Sequence, residues 1–178
     1  MGHPTQIIFD LETLGVRPDS IIVSIGALKF SLSQGIMDAF YMNIDPVDSK
    51  KYGLTTDKET INWWANQPKE VSDVWRKNPK PLKYVMQEFS DWYGGKGKPI
   101  WAKGGVSFDF PIMESSFIAV GMKPPYHFRD CLDCRTIFNV LGVKDYANKP
   151  EGLQAHNALD DCKIQLNSLL PLLVALDE

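Results

Sequence analysis

Cysteine, surplus positive charge and long apolar runs are all scarce in this chain. Three cysteines in 178 residues are an odd number and no disulfide framework, so no covalent topology is assumed and a reducing compartment fits better than secretion. Lys and Arg number 19 against 22 Asp and Glu, a formal net charge of -3, which excludes a strongly basic protein that wraps nucleic acid. An enzyme that holds a strand locally is not excluded, because a bound cation can reverse the sign of an acidic site. No apolar run approaches a membrane span and no basic region leads into one at the N-terminus, so the expectation is a cytoplasmic chain with no membrane partner. Met1 to Pro4 reads as a short leader outside the fold. Internal repeats and low-complexity tracts are also missing.

A composition of 44% hydrophobic and 23% charged residues is that of an ordinary globule, and a chain of this length buries roughly two-thirds of its unfolded surface. One domain over residues 5–178 is expected. In QIIFDL, Ile7, Phe9 and Leu11 share one strand face while Ile8, Asp10 and Glu12 share the other, as in a central strand with acids at its tip. Ser20–Phe30 and Met37–Ile44 read as a hairpin turning around Ser33–Gly35, with Gly26 placed where a side chain would crowd a neighbour or ligand. Short helices follow Thr56. A clearer helix, Leu82–Tyr93, carries an apolar stripe of Leu82, Val85, Met86, Phe89 and Tyr93 and stops at Gly94. Pro99–Ala102 is a short strand, Phe108–Val120 a helix, Tyr126–Asp130 the last strand before a helix to Leu141, and Leu159–Leu173 a closing helix that Pro171 kinks at its end. ANKPEGLQA at 147–155 is expected to be the mobile loop. The pattern is α/β, with one mixed sheet.

Three acidic clusters stand at element ends. Asp10 and Glu12 are two apart on a strand, so both carboxylates project from one face and repel each other unless a cation or donor answers them. The same pair also fits a strand end meeting solvent. Asp109, two before Pro111 in GGVSFDFPIM, reads by itself as an ordinary helix N-cap, though the same junction also points its carboxylate out of an apolar bed. In HNALDD, His156 and Asp161 would lie 140 degrees apart on a continuous helix and could not converge. If the helix begins near Asn157 or Ala158, His156 can fold back over the site of Asp161. Asp10, Glu12, Asp109 and Asp161 are hard oxygen donors of the kind Mg²⁺ or Mn²⁺ prefers, poorly matched to structural zinc. Four acids suffice for two divalent cations, which would clamp the attacking and leaving oxygens of a phosphodiester while His156 takes a proton from water.

FDLET at 9–13, SFDFP at 107–111 and HNALDD at 156–161 resemble, in order and approximate spacing, the three motifs of the DnaQ-like (DEDDh) 3′-to-5′ exonucleases of the ribonuclease H-like fold. TINWWANQP at 60–68 with GGVSFDFPI at 104–112 is most similar to the group of phage DexA-type single-strand exonucleases and Rv2179c-like exoribonucleases. The resemblance covers nearly the whole chain. It implies a central mixed five-stranded sheet flanked by helices, and release of nucleoside 5′-monophosphates from the free 3′ end of single-stranded DNA or RNA. It further implies that Asp10 contacts both cations, Glu12 and Asp161 hold the one that activates water, Asp109 supports the second, and His156 is the general base. Thr13 and Leu14 fall where relatives contact the terminal nucleotide, Lys103 stands at the approach to the second motif, Phe108 beside the second acid is a candidate contact to the terminal base, and the resemblance leads to the expectation of a homodimer.

Trp63 and Trp64 are adjacent on a helix, point about 100 degrees apart and cannot face one surface, so one of them is expected in the core. CLDC at 131–134 has no second CxxC to complete a metal site and reads as buried structure, with thiol redox chemistry as the rival. Arg129, Arg135 and Lys149 are solvated charges or phosphate contacts. An oligoribonuclease-like trimming enzyme and a nonhydrolytic binding module of the same fold are the remaining alternatives.

Overall fold

Strand β1 (Gln6–Thr13) organises the molecule, because its alternation feeds two separate cores: Ile7, Phe9 and Leu11 enter one and Ile8 the other. The computed structural model describes residues 3–143 and 150–177. Around β1 lies a five-stranded sheet in the order β3-β2-β1-β4-β5, with β2 at Ile22–Ser31, β3 at Gly35–Asn43, β4 at Ile100–Ala102 and β5 at Cys131–Asp133. The β1–β2 and β2–β3 pairs are antiparallel, whereas β4 and β5 run parallel to β1. This is the mixed α/β sheet of the ribonuclease H-like expectation.

Helices cover both faces. Between β3 and β4 come α1 (Pro46–Lys50), α2 (Lys58–Ala65), α3 (Lys69–Ser72) and α4 (Leu82–Tyr93). Helix α4 buries the five side chains of its apolar stripe and ends on Gly94, whose φ of 70° suits a residue without a Cβ. With α5 (Asp109–Ala119) it packs on the Phe9 side of the sheet. Helices α6 (Cys134–Val140) and α7 (Ala158–Asp177) cover the other side, against Ile8, Leu28, Phe30 and Trp101. Fully burying one such aliphatic or aromatic side chain contributes about 1.5–3 kcal/mol, so these two layers dominate the stability of the sheet. Pro171 lies inside α7. No helix of the described residues is long and apolar enough to cross a membrane.

Two local expectations need correction. Tyr126–Asp130 is not a strand: Phe128–Asp130 forms a 3₁₀ turn, and the last strand is Cys131–Asp133. The His127 side chain accepts the Arg129 N–H while the Asp130 carboxylate accepts the His127 N–H, a reciprocal cap that turns the chain where a strand was expected. In the 147–155 loop, residues 147–149, including Lys149, lie outside the described residues, as do Met1 and Gly2 of the expected leader. The remainder is tied down through Gln154, whose side-chain amide donates to the Glu70 carbonyl at 2.7 Å.

Gly26 sits opposite Asp10 in the β1–β2 register. A Cβ there would lie 2.3 Å from the carbonyl carbon of Ala158 and the amide nitrogen of Leu159. Only a glycine lets the start of α7 settle this closely on the sheet, which brings the acid-bearing turn of that helix beside the tip of β1.

Candidate active site

Parallel strands end at the same edge of a sheet, so β1, β4 and β5 deliver their following residues to one crevice. β1 supplies Asp10 and Glu12, the β4 exit supplies Lys103 and Gly104, and Arg135 follows β5. Asp109 opens α5 and Asp161 lies in the first turn of α7. All of these, with His156, Leu11, Ser107 and Phe108, line a single cavity of about 490 Å³.

Histidine reaches this cavity through a break in helical geometry. Helix α7 begins at Ala158, with the Asn157 side-chain oxygen accepting the N–H groups of Leu159 and Asp160, both at 3.1 Å. His156 therefore precedes the helix, in the left-handed region at φ 62°, where a non-glycine residue is uncommon and strained. Its backbone N–H donates to Asp161 Oδ2 at 3.1 Å. The folded-back turn puts donor atoms of Glu12, His156 and Asp161 within 4.8 Å of one another. Asp160 is engaged elsewhere: it accepts the Gln154 N–H and pairs with Lys163.

The N-cap reading of Asp109 does not hold, since its Oδ2 accepts the Gly104 N–H at 2.8 Å and no side chain caps α5. That bond draws the loop after β4 under the carboxylate. Electrostatics across the group are unfavourable for four bare anions. Burial first, then the charges of Asp109, Glu12 and Asp161, pushes Asp10 well above the usual carboxylate range, against a 3.1 Å hydrogen bond donated by Gln165. Glu12 is raised to about 8 by burial and by Asp161 and Asp109. Asp109 is raised to about 7 by burial, opposed by the Gly104 N–H and the positive charge of Arg135.

Such a set fits divalent cations. The donors are carboxylate oxygens with one imidazole beside them, which is the chemistry hard cations take, and a cation would offset the burial that raises Asp10, Glu12 and Asp109 and the repulsion that adds to it at Asp10 and Glu12.

Beside the acids, and sharing Leu11, Glu12 and Phe108 with them, lies a slot of about 440 Å³ also lined by Thr13, Val16, Glu59, Thr60, Trp63 and Trp64. The tryptophan pair divides as its helical geometry requires. Trp64 is 3% exposed and donates its indole N–H to the Thr13 carbonyl at 2.8 Å, whereas Trp63 is 40% exposed with its ring 4.8 Å from the His156 ring, edge to face. Thr13 and Phe108 face the slot and Lys103 the acidic cavity, but Leu14 lines neither and packs in the core. A register shift between Glu12 and Thr13 disrupts the strand's alternation just before Leu14, which is then held by backbone bonds to Ile21 and Asp57.

Two features beside the acids are not marked by any local pattern. Gln165 was legible only in hindsight, as a residue four after Asp161 and hence on the same helix face. Arg135 fits either solvated charge or a phosphate contact from the sequence, because nothing local marks the end of β5 as part of the crevice. The CLDC cysteines part company: Cys131 packs with the Phe9 core and Cys134 lies in the Ile8 core, and burial raises the Cys131 thiol to about 11. None of the three cysteines forms a disulfide.

Comparison with known proteins agrees with this arrangement. Enterobacteria phage T4 exodeoxyribonuclease is 25% identical, over 88% of this chain and 84% of its own. Escherichia coli exonuclease I bound to a dT13 oligonucleotide superposes with a TM-score of 0.68 at 13% identity, covering 94% of this chain and 40% of that one. The chain therefore spans about two-fifths of exonuclease I. The nuclease domain of 3′hExo, a DEDDh family member bound to rAMP, matches at TM-score 0.62 and 16% identity over 96% of this chain and 92% of that one. These structural likenesses establish the shared fold. The model of the 3′-5′ exoribonuclease Rv2179c-like domain matches residues 5–171, and on that match, with three acidic motifs gathered in one crevice, the chain belongs to the Rv2179c-like 3′-5′ exonuclease family.

Proposed function

We propose that residues 5–178 form one catalytic domain that hydrolyses the terminal phosphodiester at the free 3′ end of single-stranded DNA or RNA, releasing nucleoside 5′-monophosphates. The observation that carries this reading is the convergence of Glu12, His156 and Asp161 within 4.8 Å in a cavity shared with Asp10 and Asp109 and opening beside an aromatic slot. Asp10, Glu12, Asp109 and Asp161 would hold two divalent cations, Mg²⁺ or Mn²⁺. When bound, such ions lower the pKa of water and offset the charge that develops on the phosphoryl oxygens.

The chain's own groups divide the remaining work. His156 takes the proton from the attacking water, its imidazole set by the left-handed turn and by the Trp63 ring edge. Gln165 orients Asp10 through its 3.1 Å hydrogen bond. The slot takes the terminal nucleoside, with Trp63, Thr13 and Phe108 against base and sugar, because aromatic faces hold single-stranded bases without demanding a sequence. Lys103 contacts the phosphate from the β4 exit. Exonuclease I and 3′hExo, in their complexes with dT13 and with rAMP, support a single-strand 3′ end as substrate.

A cytoplasmic location is proposed on the absence of disulfides among the three cysteines. Val106, Ile118 and Phe128 stand exposed around an apolar groove of about 710 Å³, which supports a homodimer that light scattering would detect. The test of function is incubation with 3′- and 5′-labelled DNA and RNA strands, single and paired, with and without EDTA. Mononucleotides released from the 3′ end, and only without EDTA, are the expected products. A retained full-length strand would point to a nonhydrolytic module, and digestion confined to very short RNA to a trimming enzyme.

A further inference from the structure

The acidic cavity and the slot place the scissile phosphate and the terminal nucleoside, but not the nucleotide that follows on the 5′ side. Arg135 stands at the remaining wall. It is the second residue of α6, brought to the crevice because β5 runs parallel to β1 and ends at the same edge. It lines the acidic cavity with Asp109 and is not among the residues of the slot. β5 is two strands from β1 in the sheet order, a separation of roughly 10 Å at the usual inter-strand spacing. Trp63 lines only the slot and Arg135 only the acidic cavity, so the two mark the unshared ends of two cavities that meet at Leu11, Glu12 and Phe108.

The arginine is exposed, and among the described residues its guanidinium makes no hydrogen bond or ion pair. A guanidinium needed to neutralise the acid cluster would be expected to pair with a carboxylate. This one influences Asp109 only through space, so its fork of donors stays open, in the geometry that binds phosphate oxygens in pairs. With the terminal nucleoside in the slot and the scissile phosphate on the acids, the strand leaves toward this wall.

We propose that Arg135 binds the first non-reacting phosphate, the one immediately 5′ of the scissile linkage, and so makes a third nucleotide contribute to recognition. The inference rests on the exonuclease reading above. It fixes strand polarity across the crevice: 3′ nucleoside at Trp63, 5′ continuation at Arg135.

The experiment compares wild type, Arg135→Gln and Arg135→Lys on a dinucleoside monophosphate, which has the scissile phosphate alone, and a trinucleoside diphosphate, which has one more. For the trimer, Arg135→Gln is expected to lower kcat/KM about tenfold or more, chiefly through KM, as befits loss of a charge-assisted hydrogen bond. For the dimer the change stays within about twofold by the same reasoning, and Arg135→Lys recovers part of the trimer loss. Replacing the upstream linkage of the trimer with an uncharged methylphosphonate should bring wild type down to the Arg135→Gln value. Equal losses on dimer and trimer would mean that Arg135 acts on the scissile phosphate or through Asp109, and would overturn the proposal. So would a wild type indifferent to the methylphosphonate. Failure of wild type to cleave either substrate would instead overturn the exonuclease reading, and this proposal with it.

Discussion

The two cavities that meet at Leu11, Glu12 and Phe108 are nearly equal in volume, about 490 and 440 Å³, and opposite in chemistry. One gathers Asp10, Glu12, Asp109 and Asp161 around His156, and the other presents Val16, Trp63 and Trp64 beside the strand end. β1 serves both. Its outward acids face the first, and the register shift after Glu12 turns Thr13 toward the second. The contrast shows that size does not single out the chemistry, since the apolar groove near Phe128 is larger than either and holds no comparable acid cluster. What distinguishes the acidic cavity is a set of buried carboxyl groups that the Gln165 and Gly104 hydrogen bonds and Arg135 offset only in part.

If the acidic cavity does the chemistry and the slot only recognition, substitutions should separate in kind as well as size. Asp10→Ala should fold and lose on the order of 1,000-fold or more in kcat with Mg²⁺ or Mn²⁺, because a cation stabilises the transition state by several kcal/mol. Normal strand degradation by that variant would sink the assignment. His156→Ala should lose about 100-fold in kcat while titration calorimetry still detects Mn²⁺ binding. Loss of metal binding would make the histidine a ligand rather than the base. In the slot, Trp63→Ala should cost about tenfold in kcat/KM, mostly through KM, as expected for one stacked base, with Trp63→Phe recovering much of it. A fall in kcat with an altered pH profile would show that Trp63 works through His156 instead and would blur the division.

The smallest effect concerns stability. Glu12 and Asp109 are raised to about 8 and about 7, above the roughly 4 of unfolded carboxyl groups. The native state therefore holds these protons more tightly than the unfolded state. Their contribution is fully present below the unfolded pKa and is lost as pH rises through the folded values. In EDTA the melting temperature should fall between pH 5 and pH 8, by about 2–4 °C for each kcal/mol lost. Added Mg²⁺ should restore it most at the alkaline end. A flat profile in EDTA, measured by calorimetry, would show that burial does not raise these acids.

Much of this arrangement was legible because it is periodic. The two faces of β1 follow from alternation, the α4 stripe from a 3.6-residue repeat, and the split of Trp63 from Trp64 from the 100-degree step between helical neighbours. Gly26 was also readable, as a strand glycine that something must approach. Gln165, the place of Arg135 at the crevice and the core packing of Leu14 were not. Gln165 matters only because α7 crosses β1 at Asp10, and Arg135 only because β5 ends at the same edge as β1. Leu14 turns into the core because a register shift overrides strict alternation. The strand expected at Tyr126–Asp130 failed for a related reason, since side-chain caps by His127 and Asp130 outcompete extension.

The sequence by itself determined the soft boundaries and the inventory: an α/β chain with little positive surplus, strands and helices set by the spacing of apolar residues, and acids at element ends. Those are local properties, fixed by steric alternation and helical pitch. Local spacing allowed His156 to fold back and the family resemblance implied a shared acidic site, but only tertiary structure brought residues as far apart as Asp10 and Asp161 into one cavity and set an arginine in its wall. Parallel pairing of β1, β4 and β5 and the close seat of α7 on Gly26 are long-range packing outcomes, and no window along the chain contains both partners of any of them.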